Sequence, residues 1–426
     1  MGEGVLTAGF PRVDGALSCE GVPLDAIATA AGTPTYVYSA GAIRGAFERL
    51  RRAFAPVPHR VHYSVKANSS GAVLRLLQGL GAGVDIVSGG ELFRAGRAGF
   101  SGADIVFSGV GKSAAELRAA LAAGVLLVNV ESESELRLLD RVAGEMGAVA
   151  PVALRVNPEV SVDTHAYIRT GERGNKFGIP FDEAAVTARL ALTLRHVTLI
   201  GLDMHIGSQL SSLEPYQDGI RRLLELHRAL SAAGARDLRY LDIGGGLAVT
   251  YDAEEPMDVQ AFANAVIPLV RSSGLNLILE PGRYLVGNAG VLLSRVLYRK
   301  QSGGTEYVII DAGMNDLLRP SHYHAYHAVE AVHPRDGRIT ADVVGPVCES
   351  GDFVALEREM ERVEEGDLVA IRSAGAYGFV MSSNYNARPR AAEVLVDGDR
   401  FAIVTARERY EDLVRLEPAV PDWRTV

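Results

Sequence analysis

The sequence predicts an α/β fold: a closed (β/α)8 barrel of the TIM type, joined to a C-terminal, mostly antiparallel β-domain. Three observations predict it. Between about residues 60 and 280, eight short apolar or β-branched runs alternate with stretches of helical leucine and alanine spacing. Strands alternating with helices form parallel sheets, and eight such units in about 220 residues suit a closed barrel better than an open doubly wound sheet. After Pro281 the texture changes, and strand-like runs follow one another without long helical spacers. The length of 426 residues fits this reading, because domains average about 100–200 residues.

The eight barrel runs are Val61–Val65, Val84–Val87, Ile105–Phe107, Leu126–Val130, Val152–Val156, Leu199–His205, Tyr240–Ile243 and Leu277–Leu279. Helices are expected between them, for example over Ala114–Ala123 and Gly219–Leu230. Beyond the barrel, Tyr307–Ile310, Asp342–Val344, Leu368–Ile371 and Ala392–Val396 read as strands. Asp397-Gly398, between Leu395–Val396 and Phe401–Val404, reads as a hairpin turn. The barrel is expected over 34–282, and the β-domain over 283–426 with residues 1–33 pairing into it. No Pro/Ser-rich linker separates the two, so a site between or across them is expected.

Composition narrows the chemistry. Of 43 basic residues only four are lysines, namely Lys66, Lys112, Lys176 and Lys300. Any chemistry that needs an amine therefore has few candidates. The two cysteines, Cys19 and Cys348, exclude a disulfide scaffold and a four-cysteine zinc site. A net charge of −9 argues against nucleic acid as the main partner. No apolar run reaches the roughly 18 residues of a membrane-spanning helix. Met1 to Phe10 carries Glu3 and no basic stretch, so no signal peptide is read and a cytoplasmic location is expected.

In a barrel of this kind functional residues gather at the C-terminal strand ends. Strand one ends in Lys66-Ala67-Asn68, and strand two holds Asp85. Strand five holds Arg155. Strand six ends in His205-Ile206-Gly207-Ser208, strand seven in Asp242-Ile243-Gly244-Gly245-Gly246, and strand eight in Glu280-Pro281-Gly282-Arg283. A lysine, a histidine, a triple glycine and an acid thus converge on one rim. Together they suit pyridoxal 5'-phosphate. Lys66 offers an amine for a Schiff base. Gly244, Gly245, Gly246 and the Gly282 turn offer backbone amides to a phosphate. Glu280 offers a carboxylate to a protonated pyridine nitrogen, and His205 a flat ring to stack on the cofactor.

These residues also carry a resemblance. Tyr63 to Asn68, His205 to Gln209, Gly244–Gly246, Glu280–Arg283, Cys348 to Asp352 and Gly375 to Gly378 resemble the group IV pyridoxal-phosphate decarboxylases. These are alanine-racemase-like barrel enzymes that include ornithine, arginine and diaminopimelate decarboxylases. The diaminopimelate decarboxylase family is the most similar. The likeness extends through Thr164-His165, Thr170-Gly171, Lys176 to Ile179, Asp311 to Asp316, Arg319-Pro320, Tyr323 to His327, Ser382 to Asn386 and Arg388 to Arg390. It covers roughly residues 30 to 415, in order.

The resemblance implies a carboxy-lyase that converts meso-2,6-diaminopimelate to L-lysine and carbon dioxide, the last step of lysine biosynthesis. It implies Lys66 as the Schiff-base lysine, His205 as the stacking histidine and Ser208 near the phosphate. It implies Glu280 as the partner of the pyridine nitrogen, within a cofactor-binding stretch that includes Gly245 or Gly246, Pro281, Gly282 and Arg283, and Tyr377 as a phosphate contact. It implies Cys348 as the proton donor, supplied by the partner subunit of a head-to-tail homodimer with shared active sites. It implies Arg283, Arg319, Tyr323, Glu349 and Tyr377 as substrate contacts.

The substrate can be argued physically as well. Ornithine or arginine presents a cationic tail, whereas diaminopimelate presents a second amino-acid head. That head needs a carboxylate clamp, which Arg283 and Arg319 can form, and an anion for its ammonium, which Glu349 can supply. The Cys348-Glu349-Ser350 run also departs from the Cys-Asp of ornithine-type enzymes. Two alternatives stay open: a related decarboxylase of another carboxylate-bearing substrate, such as carboxynorspermidine, and a non-catalytic cofactor-binding relative. The presence of both Lys66 and Cys348 argues against the second.

Other motifs have simpler readings. Gly109 to Ser113 lacks the glycine of a P-loop at position 106, and Ser113 with Glu116 reads as a helix capping box. His322, His324 and His327 alternate with tyrosines and have no accompanying acids or cysteines, so no metal site is assigned. Cys19 reads as an inert thiol.

Overall fold

A computed structural model of the chain describes residues 9–160 and 175–424. Thr164, His165, Thr170 and Gly171 therefore lie outside the described residues. The chain divides into two compact units, Ala42–Gly287 and the combination of Glu3–Gly41 with Asn288–Val426.

The first unit is the barrel. Its strands are β1 (His59–Ser64), β2 (Gly83–Ile86), β3 (Ile105–Phe107), β4 (Leu127–Val130), β5 (Ala150–Asn157), β6 (Val197–Asp203), β7 (Tyr240–Asp242) and β8 (Asn276–Leu279). Each pairs in parallel with the next. The circle closes where Leu277, Ile278 and Leu279 of β8 pair with His59, Arg60 and Val61 of β1. Closure leaves no edge strand in the ring. Val106, Leu127, Ala153, Ile200 and Ile278, from five different strands, form one buried apolar cluster. Such filling makes the barrel a packed core with its reactive groups at one end. The helices fall where leucine and alanine spacing put them, over Ala114–Ala123 and Glu214–Ala232 among others. Ser113 caps the first with the expected reciprocal bonds to Glu116.

The second unit is built on Gly290–Ser302. This long strand pairs antiparallel with Thr35–Ser39, Thr305–Ile310 and Leu368–Ile371. Thr35–Ser39 pairs in parallel with Ala392–Asp397, which forms the expected hairpin with Arg400–Thr405. Gly398 in that turn has φ +68°, a conformation in which a side chain would be strained. The expected boundaries at 34 and 282 differ from this division. Thr35–Ser39 is a fully buried strand inside the β-unit's sheet, because its two neighbours there come from the C-terminal half. The segment before it forms a separate meander, Arg12–Val13, Ala16–Cys19 and Val22–Pro23. Its Leu17, Cys19 and Val22 join a core with Val37, Val291, Leu293 and Val394, so Cys19 is a packing residue.

Candidate active site

Lys66 follows β1 on a single turn, Val65–Ala67. Its Nζ donates to Asp85 Oδ2 of β2 at 2.8 Å. Ser64 Oγ donates to the same oxygen at 2.8 Å. Burial alone would raise the Asp85 carboxyl. The Lys66 ammonium and hydrogen bonds from Lys66, Ser64 and Ser108 override it and hold Asp85 below its ordinary range. Lys112 is buried, and its amine donates to Gly109 O, Asn129 O and Glu135 Oε1, each at 2.7 Å. An ammonium has three hydrogens, so these structural bonds commit all of them.

His205 lies two residues past β6. Burial, then the charges of Arg155 and Lys66, push its imidazole down to about 3, so the ring is neutral near pH 7. Nδ1 accepts the Gly245 N–H at 3.3 Å, which leaves the ring proton on Nε2.

Asp203, Asp242 and Glu280, at the ends of β6, β7 and β8, bring one oxygen each within 4.8 Å of one another. All three are buried. Burial raises each carboxyl, Asp242 to about 6, and mutual repulsion adds to the rise of Asp203 and Glu280. Arg155 faces this cluster, with Nε 3.9 Å from Asp203 and Nη1 2.8 Å from Glu131. Asp203 Oδ1, Asp242 Oδ2 and Glu280 Oε1 have no hydrogen-bond partner among the described residues.

The triple glycine wraps closely around these groups. A Cβ on Gly245 would strike the Glu280 carbonyl oxygen, and one on Gly246 would strike that of Gly207. The amides are less available than the sequence suggests. Gly244 N–H donates to Asp242 Oδ1 at 2.9 Å, and Gly245 N–H is bound to His205. Of the three, only Gly246 N–H makes no hydrogen bond among the described residues. Arg283 opens the short helix after Pro281-Gly282. Its Nη2 donates to Ser208 Oγ at 3.1 Å and its Nη1 to Tyr251 OH at 2.6 Å.

The remaining expected site residues belong to the β-unit. Arg319 opens the helix Arg319–Tyr323 and is buried, whereas Tyr323 is half-buried. Cys348 and Glu349 are exposed on a turn held through its backbone. Val347 N–H donates to Asp352 Oδ2 at 2.6 Å, and Cys348 N–H to Asn386 Oδ1 at 2.9 Å. Tyr377 is half-buried, with φ +55°. His327 is fully buried and bonded to Arg319, while His322 and His324 are exposed.

The barrel rim thus unites Lys66, His205, Ser208, Gly244–Gly246 and Glu280–Arg283. Asp85, Asp203, Asp242 and Tyr251 complete it, although strand-end reading assigned them no role. For the three acids the only local signal was a carboxylate within or at the end of an otherwise apolar strand, and Tyr251, in a loop, had none. The donor set fits pyridoxal phosphate: an exposed-side amine on Lys66, a neutral imidazole, and a buried carboxylate oxygen on Glu280 with no partner.

Comparison with known proteins agrees with this class. The family model for the pyridoxal-dependent decarboxylase, pyridoxal binding domain, matches residues 40–287. The diaminopimelate decarboxylase of Pseudomonas aeruginosa is 51% identical over 413 residues, which cover 97% of this chain and 99% of that one. The diaminopimelate decarboxylase of Helicobacter pylori, solved in complex with L-lysine, is 40% identical with a TM-score of 0.90. The match covers 92% of this chain and 99% of that one. The diaminopimelate decarboxylase structure from M. jannaschii has a TM-score of 0.93 at 35% identity, covering 98% and 99% of the two chains. This chain belongs to the pyridoxal-dependent decarboxylases, within their diaminopimelate decarboxylase family. Its cofactor is pyridoxal phosphate.

Proposed function

We propose that this chain decarboxylates meso-2,6-diaminopimelate to L-lysine and carbon dioxide, as the final step of lysine biosynthesis. The observation that carries this reading is the rim of the barrel. There the Lys66 amine, held by Asp85, stands in the same electrostatic field as Glu280, whose Oε1 is buried with no hydrogen-bond partner among the described residues. Pyridoxal phosphate, when bound, supplies an electron sink for the pair left behind as the carboxylate departs. Lys66 would anchor the cofactor through its amine, Glu280 would serve the pyridine nitrogen, and neutral His205 would serve the ring face. Gly246, Ser208, Arg283 and Tyr377 would hold the phosphate.

Arg319 and Arg283 clamp the carboxylate of the substrate's distal head. Glu349 takes its ammonium, and Tyr323 lines the same end. Cys348 Sγ gives a proton to the carbon that loses carbon dioxide. We place Cys348 and Glu349 in the site of a second copy, as in a head-to-tail homodimer, and the enzyme in the cytoplasm. Among the described residues no helix is long and apolar enough to cross a membrane.

Carbon dioxide release would be assayed with meso-diaminopimelate, ornithine, arginine, lysine and carboxynorspermidine. Turnover of the first is expected. Failure on it, with turnover of another, overturns the substrate. For the shared site, inactive Lys66→Ala and Cys348→Ala chains would be mixed. Hybrid dimers are expected to recover part of the activity, and no recovery with subunit exchange confirmed overturns the cross-subunit role.

A further inference from the structure

Arg319 is buried, and its guanidinium bonds to an imidazole. Nη1 lies 2.9 Å from His327 Nε2, and His327 is fully buried. The other ring nitrogen, Nδ1, lies 2.8 Å from the carbonyl oxygen of Arg372. A carbonyl only accepts, so Nδ1 must carry the proton. Nε2 is then the bare acceptor for the Arg319 N–H. A second proton on the ring would set N–H against N–H and cation against cation in a buried place.

The sheet fixes this orientation. His327 precedes the strand Val329–Ala331, and Arg372 follows Leu368–Ile371. The two strands pair, and Arg372 N–H donates to Ala328 O at 2.8 Å. Arg358 Nη1 holds the His327 carbonyl at 2.8 Å. The Arg372 guanidinium turns elsewhere, to Glu330 Oε2 at 2.8 Å.

We propose that His327 is a positioning residue that aims Arg319 at the substrate's distal carboxylate without neutralising it. A carboxylate at this place would also hold a guanidinium, but it would cancel the charge that an anionic ligand needs. A neutral acceptor fixes the fork and leaves its charge for the ligand. The inference rests on the reading of Arg319 as a carboxylate contact.

Steady-state kinetics on the cofactor-loaded enzyme test it, with L-lysine inhibition as a second readout, because lysine retains the distal head. His327→Phe removes the acceptor and keeps the ring. His327→Gln keeps a neutral acceptor at similar reach. The phenylalanine variant is expected to raise both KM and the lysine inhibition constant about tenfold, with kcat within about twofold, as loss of uniform binding requires. The glutamine variant is expected within about threefold of the parent on both constants. A phenylalanine variant with unchanged KM, or equal shifts in both variants, overturns the proposal. So does a fall in kcat and cofactor content with KM unmoved, which a merely structural role would give.

Arg319→Leu, run in parallel, separates the two readings. If it leaves KM unchanged, the Arg319 reading fails and this one with it. If it raises KM while His327→Phe does not, only the positioning role fails. Should the phenylalanine variant not fold, His327→Asn keeps reach to the Arg372 carbonyl but not to Arg319, and the same tenfold rise is expected of it.

Discussion

In the barrel, the candidate site is made of buried ionisable groups. Asp85, Asp203, Asp242, Glu280 and Arg155 are all buried. In the β-unit, Cys348 and Glu349 stand in solvent on a turn whose main chain is pinned by Asp352 and Asn386. The first arrangement sets protonation states in advance, because desolvation and neighbouring charge act strongly where water is excluded. The second holds exposed side chains in fixed places through the main chain of their turn.

Lys66→Ala is the severest test of the barrel half. It should abolish covalent cofactor attachment and lower turnover by more than about a thousandfold, the scale on which one member of a catalytic unit acts. Borohydride trapping followed by absorbance reads the attachment directly. A variant that still traps cofactor would move the anchor to another amine. Cys348→Ala tests the other half. It should lower kcat by about 10²–10⁴, as for a lost general acid, with cofactor content unchanged. Loss of cofactor in that variant would erase the contrast between the two regions.

The buried acids should also govern stability. Asp242 is pushed up to about 6 and Glu91 to about 7, both chiefly by burial. In the folded state each holds a proton that the unfolded chain releases at lower pH. Their stabilising contribution is therefore complete below the unfolded values and is lost as pH rises through 6 and 7. Asp85, held low chiefly against its burial by Lys66, works in the opposite sense, and its contribution is lost as pH falls. At about 1.4 kcal/mol per unit, Asp242 accounts for about 3 kcal/mol. Denaturant melts of cofactor-free protein between pH 4 and 7.5 would show it. Asp242→Asn should flatten the decline by about that amount, and a curve that superimposes on the parent would break the argument.

What sequence could and could not show follows the same division. The eight barrel strands were legible because alternation with helices is a local pattern, and Lys66, His205 and Glu280 because strand ends are predictable positions. Asp203 and Asp242 carried too little local signal. Their importance comes from closure, which brings β6, β7 and β8 side by side and leaves three carboxylates within 4.8 Å. The strand Thr35–Ser39 was assigned to the barrel for a similar reason. It precedes a helix as barrel strands do, and only long-range pairing with Gly290–Ser302 and Ala392–Asp397 reveals its sheet. The engagement of the Gly244 and Gly245 amides was likewise invisible, since both acceptors are side chains fixed by tertiary structure.

Asp352 joins the two regimes, a buried carboxylate that serves the exposed turn. Its oxygens accept Met314 N–H and Val347 N–H, each at 2.6 Å. Asp352→Ala leaves both amides without this partner. A cost of about 2 kcal/mol is expected, within the range for an unsatisfied buried group. Because the same turn carries Cys348, kcat should fall with it. Stability loss without any kinetic change would show that Cys348 does not depend on the turn's anchoring.

Glu349→Gln should have the smallest effect on the fold and so defines the contrast at its other limit. Glu349 is exposed, and its carboxylate accepts a hydrogen bond from the Tyr385 hydroxyl, which raises that phenol above its ordinary value. Water replaces such a bond readily, so the change in unfolding free energy should stay within about 0.5 kcal/mol. If Glu349 meets the distal ammonium, the variant should nonetheless raise KM for diaminopimelate, because the neutral amide no longer pairs with that cation. Stability unmoved with KM raised is what an exposed contact delivered to a second copy would give. A large loss of stability would instead make Glu349 part of the turn's own framework, and the β-unit would then resemble the barrel more than its exposure suggests.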